Sequence, residues 1–442
     1  MTYTKITTNL ATGQFWQAET LPAAVDFDCV HGVCLYPTEV ADNHSFEGFG
    51  GAFTEAAAVC LQPLNAAEQA RFNAAYFGAD GLRYALGRTH MGSCDFALGN
   101  YTAANKTDNN RDFSRDDTVL IPMIQAAEKA AGKALPLLLS PWSPPAWMKT
   151  NGDMNHGGKL KPECAAAYAK LLADYAAHYR AAGLTVAALS IQNEPEAVQT
   201  WDSCIFTAEE EAQFAVSYLR PALDAAGLND VELLCWDHNK EGLYRRAVGS
   251  FGVPGAEKAI AGVGFHWYTG DHFEAVALVA KKYPGKKLYF TEGCVEYSRF
   301  DGATDQKKAE MYAHDILGNL NAGIVGSIDW NLLLDAKGGP NHVGNFCEAP
   351  LMLDGNGSFE IKGSYYYIGQ FSRYIQPGAR RIAASRYCAE LEVTAFQNPD
   401  GSLTAVLLNR TAAPQPASLA LNGETPLADL VVEPHSIVTV VL

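Results

Sequence analysis

The 442 residues contain no run of 18 or more apolar residues, so no helix long enough to span a bilayer is expected, and membrane insertion is not foreseen. Basic charge is scarce and dispersed. The chain carries 33 Lys and Arg against 49 Asp and Glu, a net charge of −16 at pH 7. Nothing in it would neutralise a phosphate backbone, which argues against nucleic acid as a partner. The ten cysteines lie scattered, with no CxxC pair and no Cys/His cluster of zinc spacing, so they read as reduced, mostly buried thiols rather than a disulfide scaffold. There is no HExxH, no EF-hand loop and no carboxylate–His cluster at ligand spacing, hence no metal is expected. Nor is a cofactor: Gly48, Gly50 and Gly51 form only a GxGG, short of a dinucleotide fingerprint. The opening MTYTKITTNLATGQFW lacks a charged segment followed by an apolar one, which reads as a cytoplasmic protein without a signal peptide. The five N-x-S/T sequons, at Asn43, Asn100, Asn105, Asn356 and Asn409, then read as chance matches.

What is present is an ordinary globular composition, 48% hydrophobic and 19% charged, in three textures. Short strand-like pieces occupy residues 1–45. From 46 to 375, apolar runs (GFGGAF, LRYALGR, LPLLLSPW, VAALSIQN, VELLCW, GVGFHWY, KLYFTE, GSIDWN) alternate with Ala-rich helical stretches such as CAAAYAKLLADYAAHYRAAG and AEEEAQFAVSYLRPALDAAG, each closing on a glycine. Eight such units predict a (β/α)8 TIM barrel; a doubly wound sheet, the alternative, would want a Gly-rich phosphate loop after its first strand. Residues 376–442 turn to strand–turn–strand and read as a sandwich-like all-β piece.

Barrel active sites form where strands end. Here those ends carry Arg88, Trp142, Asn193-Glu194, Trp236-Asp237-His238, His266-Trp267-Tyr268, Glu292 and Asp329-Trp330-Asn331. Glu194 and Glu292 follow strands four and seven, which face each other across the mouth. Two carboxyls about 5 Å apart are what double-displacement glycoside cleavage requires, one donating a proton and the other attacking the anomeric carbon. In that reading Asn193 binds a sugar 2-hydroxyl, and Arg88 and Tyr268 orient the nucleophile. Trp142 and Trp330 offer apolar faces to the sugar, and Asp95 accepts from its hydroxyls.

The segments GFGGAFTEAAA (48–58), SCDF (93–96), SPWSPPAWMKTNG (140–152), QNEPEA (192–197), FHWYTG (265–270), FTEGCV (290–295), DWNLLLDAKGGPNHVGNF (329–346) and GQFSRYIQPGARRI (369–382) resemble, in order, glycoside hydrolase family 30, in particular its glucosylceramidase branch. The resemblance implies a (β/α)8 barrel with a β-sandwich built from both termini, and a retaining mechanism with Glu194 as acid/base and Glu292 as nucleophile. It places Arg88, Asp95, Trp142, Asn193 and Trp330 on the glycone and His266 and Tyr268 around the nucleophile. Trp201 and Phe206 fall toward the leaving group. Glu55 stands where the family has Asp, a position read as outside the glycone pocket. The expected substrate is a carbohydrate, a terminal β-linked glucose on an oligosaccharide or glucoside. Endo-β-1,6-glucanase, β-xylosidase and glucosylceramide hydrolysis are alternatives on the same frame.

Overall fold

The computed structural model describes residues 2–41, 44–104 and 110–442; the sequons at Asn43 and Asn105 lie outside them. Eight parallel strands close into a barrel: β1 (Gly48–Phe53), β2 (Leu86–Met91), β3 (Leu137–Pro141), β4 (Val186–Ser190), β5 (Glu232–Asn239), β6 (Gly262–His266), β7 (Lys287–Glu292) and β8 (Gly326–Asn331). Closure joins β8 to β1, with Gly326 paired to Gly48. The β1–β2 seam depends on glycine, because a Cβ at Gly50 would stand 2.3 Å from the Leu86 carbonyl oxygen.

The two-residue period of a strand writes the barrel interior in layers. Leu86, Leu138, Ala188, Leu234, Tyr289 and Ile328 fill the lower interior as one apolar cluster. Two residues further along, Leu86 gives way to Arg88, Leu138 to Ser140, Tyr289 to Thr291 and Ile328 to Trp330, so polar and aromatic groups rise toward the C-terminal mouth. On β5 the alternation is broken. Trp236 and Asp237 both have positive φ, 72° and 46°, and the pairing with β6 shifts between Trp236 and His238. This bulge turns Trp236 outward and Asp237 inward. Trp236 is held there by its backbone N–H donating to Glu211 Oε1 at 2.9 Å, and by the Arg246 guanidinium 4.9 Å from its ring.

Helices pack outside the barrel. Asp305–Ala322 starts at Thr304, whose hydroxyl accepts from the Lys307 N–H, and ends at left-handed Gly323. The stretch from Ala208, expected as one helix, widens into a π-turn at Ala215–Leu219 before continuing from Arg220 to Ala225. Pro221 has no N–H to continue an α-type ladder, which explains the widening.

Nine antiparallel and parallel strands from both termini make the side domain. Strand Arg380–Arg386 belongs to two sheets, pairing with Leu391–Gln397 through Arg380 and Arg381 and with Gly32–Val40 through the rest. The sheet thereby folds over an apolar core that includes Tyr3, Leu35, Val393 and Leu407. Helix Gly363–Ser372 is the joint to the barrel: Trp16 Nε1 donates to the Tyr366 carbonyl (2.8 Å), Gln370 Nε2 to Thr8 Oγ1 (2.8 Å) and Thr439 Oγ1 to the Gln370 carbonyl (2.7 Å). Phe396 packs edge-on against Phe46 beneath the barrel. All ten cysteines are free thiols.

Candidate active site

At the C-terminal mouth a pocket of about 130 Å³ is lined by residues from six strand ends, with Glu194 and Glu292 among them. Beneath it Arg88, fully buried, organises the floor. Its Nη1 donates to Glu292 Oε2, its Nη2 to Asn193 Oδ1 (2.8 Å) and Asp237 Oδ2 (2.9 Å), and its Nε to Ser140 Oγ (3.1 Å). A planar fork with five donors is the side chain that can hold two carboxylates and an amide at once. Tyr268 donates its hydroxyl to the other Glu292 oxygen, Oε1, at 2.9 Å. Both oxygens of Glu292 are thus fixed by donors from opposite sides.

Glu194 sits in left-handed backbone, φ 47°, with its N–H donating to the Asp237 carbonyl at 3.0 Å. Strain of this kind persists where surrounding contacts over-determine it. Its Oε1 lies 3.2 Å from His266 Nδ1 and 3.3 Å from His238 Nδ1. The same His266 nitrogen lies 3.9 Å from Glu292 Oε1, so one ring atom reaches both carboxylates. On its far side His266 Nε2 meets Asp237 Oδ1 at 3.2 Å, and Thr291 Oγ1 donates to that oxygen at 2.6 Å.

The charges sort accordingly. Burial pushes the Glu194 carboxyl up, but the His238 and His266 imidazoles outweigh it and hold it below the usual carboxylate range. Burial likewise opposes ionisation of Asp237, and Arg88 and His266 override it. Burial would lower His266, yet Glu292, Asp237 and Glu194 around it raise it to about 9. Asp95 goes the other way: burial, then the Glu292 charge, push its carboxyl well above the ordinary value. It accepts from Asn345 Nδ2 at 3.0 Å. Trp142 and Trp330 stack at 5.4 Å and 22°, with Arg88 5.0 and 5.3 Å from their rings.

Of the residues expected at the site, Asp95, Trp142, Asn193, Glu194, Trp201, Tyr268, Glu292 and Trp330 line the pocket, and Arg88 and His266 support it from below. Phe206 corrects the expectation. It is buried, packs against Phe214 at 6.0 Å, and lines a different and larger groove of about 840 Å³ on the outer helices. That groove does not contain the paired carboxylates. Trp236, Trp267 and Asp329 also end strands, but they do not line the pocket. Glu55, too, stays outside it: it receives Arg115 Nε and Nη2 and the Leu98 N–H, so it pins the segment that carries Asp95. The sequence reading missed His238, Asn239, Cys294, Glu296, Gln199 and Asn345, all of which line the pocket. His238 was legible as a strand-end residue. Asn345 was not, because a loop after β8 brings it over the mouth. Glu194, His238 and His266 also bring their ligating atoms within 4.8 Å of one another, a cluster hidden in the sequence because three strands supply it.

Two family models match the chain: the glycosyl hydrolase family 30 TIM-barrel domain over residues 46–375, and the family 30 β-sandwich domain over residues 378–440. The lysosomal acid glucosylceramidase of Mus musculus is 34% identical over 397 residues, covering 85% of this chain and 76% of that protein. An endo-1,6-β-D-glucanase of Aspergillus fumigatus is 28% identical, covering 84% and 80%. The crystal structure of SrfJ from Salmonella typhimurium superposes with a TM-score of 0.96 at 40% identity, over 100% of this chain and 99% of that one.

Proposed function

The chain belongs to glycosyl hydrolase family 30 and is a glycoside hydrolase, and from that premise we propose that it is a retaining β-glucosidase that removes a terminal β-linked glucose from oligosaccharides or small glucosides. Glu292 attacks the anomeric carbon, the glycosidic C–O bond breaks, and the leaving oxygen takes a proton from Glu194. Glu194 then deprotonates a water that attacks the glycosyl ester on Glu292, returning β-glucose. The observation that carries this reading is the shared reach of one His266 nitrogen to both carboxylates, with Glu292 held on each oxygen by a donor. That shared reach is compatible with the roughly 5 Å separation of double displacement.

The imidazoles have a part in the proton's path. Glu194 rests ionised and His266 protonated, 3.2 Å apart, so the acidic proton crosses from ring to carboxyl before the leaving oxygen departs. Support for exo action comes from the pocket's size. About 130 Å³, bounded by the Trp142–Trp330 stack and the Asp95–Asn345 pair, suits one sugar unit rather than a chain. Asp95, whose carboxyl burial and the Glu292 charge shift toward its protonated form, can both donate to and accept from hydroxyls. Endo-β-1,6-glucan cleavage is the second reading, favoured by the Aspergillus fumigatus relative. A xylose unit in the same pocket differs by one CH₂OH, which sterics discriminate weakly.

Nitrophenol release from a panel of aryl β-glycosides tests the reading, wild type beside Glu292→Gln. Release from the glucoside, abolished in the variant, is expected. Preference for the xyloside would replace the glycone and keep the mechanism, and silence on all aryl sugars with turnover of β-1,6-glucan would replace exo with endo action.

A further inference from the structure

We propose that Glu194, His238 and His266 form a binding site for a divalent transition ion of the zinc type, and that an ion bound there blocks hydrolysis. Two edges of the trio have the length of a tetrahedral face, and the third lies within 4.8 Å. Zinc bonds of about 2.0–2.1 Å to nitrogen or oxygen place neighbouring ligand atoms roughly 3.3 Å apart. Glu194 Oε1 stands 3.2 Å from His266 Nδ1 and 3.3 Å from His238 Nδ1, and all three atoms lie within 4.8 Å of one another. Two imidazoles and a carboxylate suit zinc, copper or nickel, and not calcium or magnesium, which want oxygen.

Two further features point the same way. His266 Nε2 faces Asp237 Oδ1 at 3.2 Å, and Asp237 is held by Arg88 and Thr291. A carboxylate behind the ring keeps a proton on Nε2, as behind most metal-bound histidines, so an ion has to displace only the proton on Nδ1. His238 Nδ1 is buried, faces Glu194 Oε1 at 3.3 Å and makes no aligned hydrogen bond, so no well-formed bond has to break for this nitrogen to turn to an ion. The charge balance also leaves room for a cation: the Arg88 guanidinium pairs with Asp237 and Glu292, while the third carboxylate, Glu194, faces the His238 and His266 rings.

The open side of this face is the pocket, with Glu292 Oε1 3.9 Å from His266 Nδ1. An ion seated there takes the Glu194 lone pair that must otherwise carry the proton to the leaving oxygen, and it fills space the sugar needs. Inhibition is therefore competitive. The binding half of the proposal stands on geometry alone; the inhibitory half rests on the reading of Glu194 as acid/base.

Zinc binding is measured by titration calorimetry on the whole chain, and the visible spectrum is recorded after loading with Co²⁺, whose tetrahedral complexes absorb strongly. The expected result is one ion per chain, an intense Co²⁺ band, and inhibition reversed by chelator and weakened by added glucoside. His238→Asn should lose at least tenfold in zinc affinity with its thermal unfolding unchanged. Glu194→Gln, which keeps the shape and removes the anionic ligand, should do the same. Absence of binding at millimolar zinc, or affinity in both variants equal to that of wild type, overturns the site. Binding at the three residues without inhibition upholds the site and counts against Glu194 as the proton donor.

Discussion

Replacing Asp329 by Asn should make the protein progressively more stable, relative to wild type, as pH rises from 4 to 7. Asp329 is inside the shell between β8 and the helices, 7% exposed, beside Tyr76, Tyr84 and Tyr312, whose hydroxyls burial and then the Asp329 carboxylate hold un-ionised. Its Oδ1 has no hydrogen-bond partner, and among the described residues no cation pairs with it. Burial pushes its carboxyl up to about 7, and the Trp330 N–H and Tyr312 hydroxyl oppose this too weakly. The native state therefore binds this proton more tightly than the unfolded chain, whose Asp ionises near 3.9. Where the native state holds more protons than the unfolded one, stability falls with rising pH. The fall begins near pH 4 and levels off above 7. A shift of about three units corresponds to about 4 kcal/mol over the whole window, or roughly 1.4 kcal/mol per pH unit. Asn keeps the volume and cannot ionise, and whatever its amide costs in packing is the same at every pH. Thermal and chemical unfolding of both proteins at pH 5, 6, 7 and 8 should show the gap widening by about 2 kcal/mol between pH 5 and 7 and then flattening. A gap constant across the series would refute the claim that Asp329 is neutral in the folded protein.

Arg88→Met should lower stability by about 3–5 kcal/mol, because it leaves Asp237 and Glu292 buried without their cation, and should cost at least about 100-fold in kcat/KM. Arg88→Lys should not restore activity, since one ammonium cannot reach Glu292, Asn193 and Asp237 together; thermal unfolding beside steady-state kinetics checks both. Glu194→Ala should lose about 10²–10⁴-fold on alkyl glucosides and far less on dinitrophenyl glucoside, whose leaving group needs little protonation. Equal losses on the two substrates would remove Glu194 from the acid role.

The barrel was legible because its strands obey simple periodicity. GFGGAF, KLYFTE and GSIDWN coincide with β1, β7 and β8, and the polar residues at their ends are the site. Glu194 and Glu292 could be paired from topology alone, since strands four and seven face each other. What escaped has identifiable causes. The β5 bulge reverses the inside–outside alternation, so the strand end Trp236-Asp237-His238 does not show in the sequence which side chain turns inward, and Asp237, the anion beneath His266, takes no site role there. Phe206 follows the Glu194 loop in sequence, but its N–H donates to the Pro195 carbonyl and its ring turns into the helical layer. Asn345 arrives from a loop whose path depends on local turns, with Asn341 Oδ1 accepting from the Val343, Gly344 and Asn345 N–H groups. No periodicity announces such a fold-back.

The central claim, double displacement through Glu292, is tested most directly by proton NMR of the first sugar released. A single turnover-rich mixture of enzyme and aryl β-glucoside, followed from the first minute, should show the β-anomer of glucose appearing first, with the α-anomer growing in only by mutarotation. Initial appearance of the α-anomer would mean a water attacks directly, and would contradict Glu292 as the nucleophile.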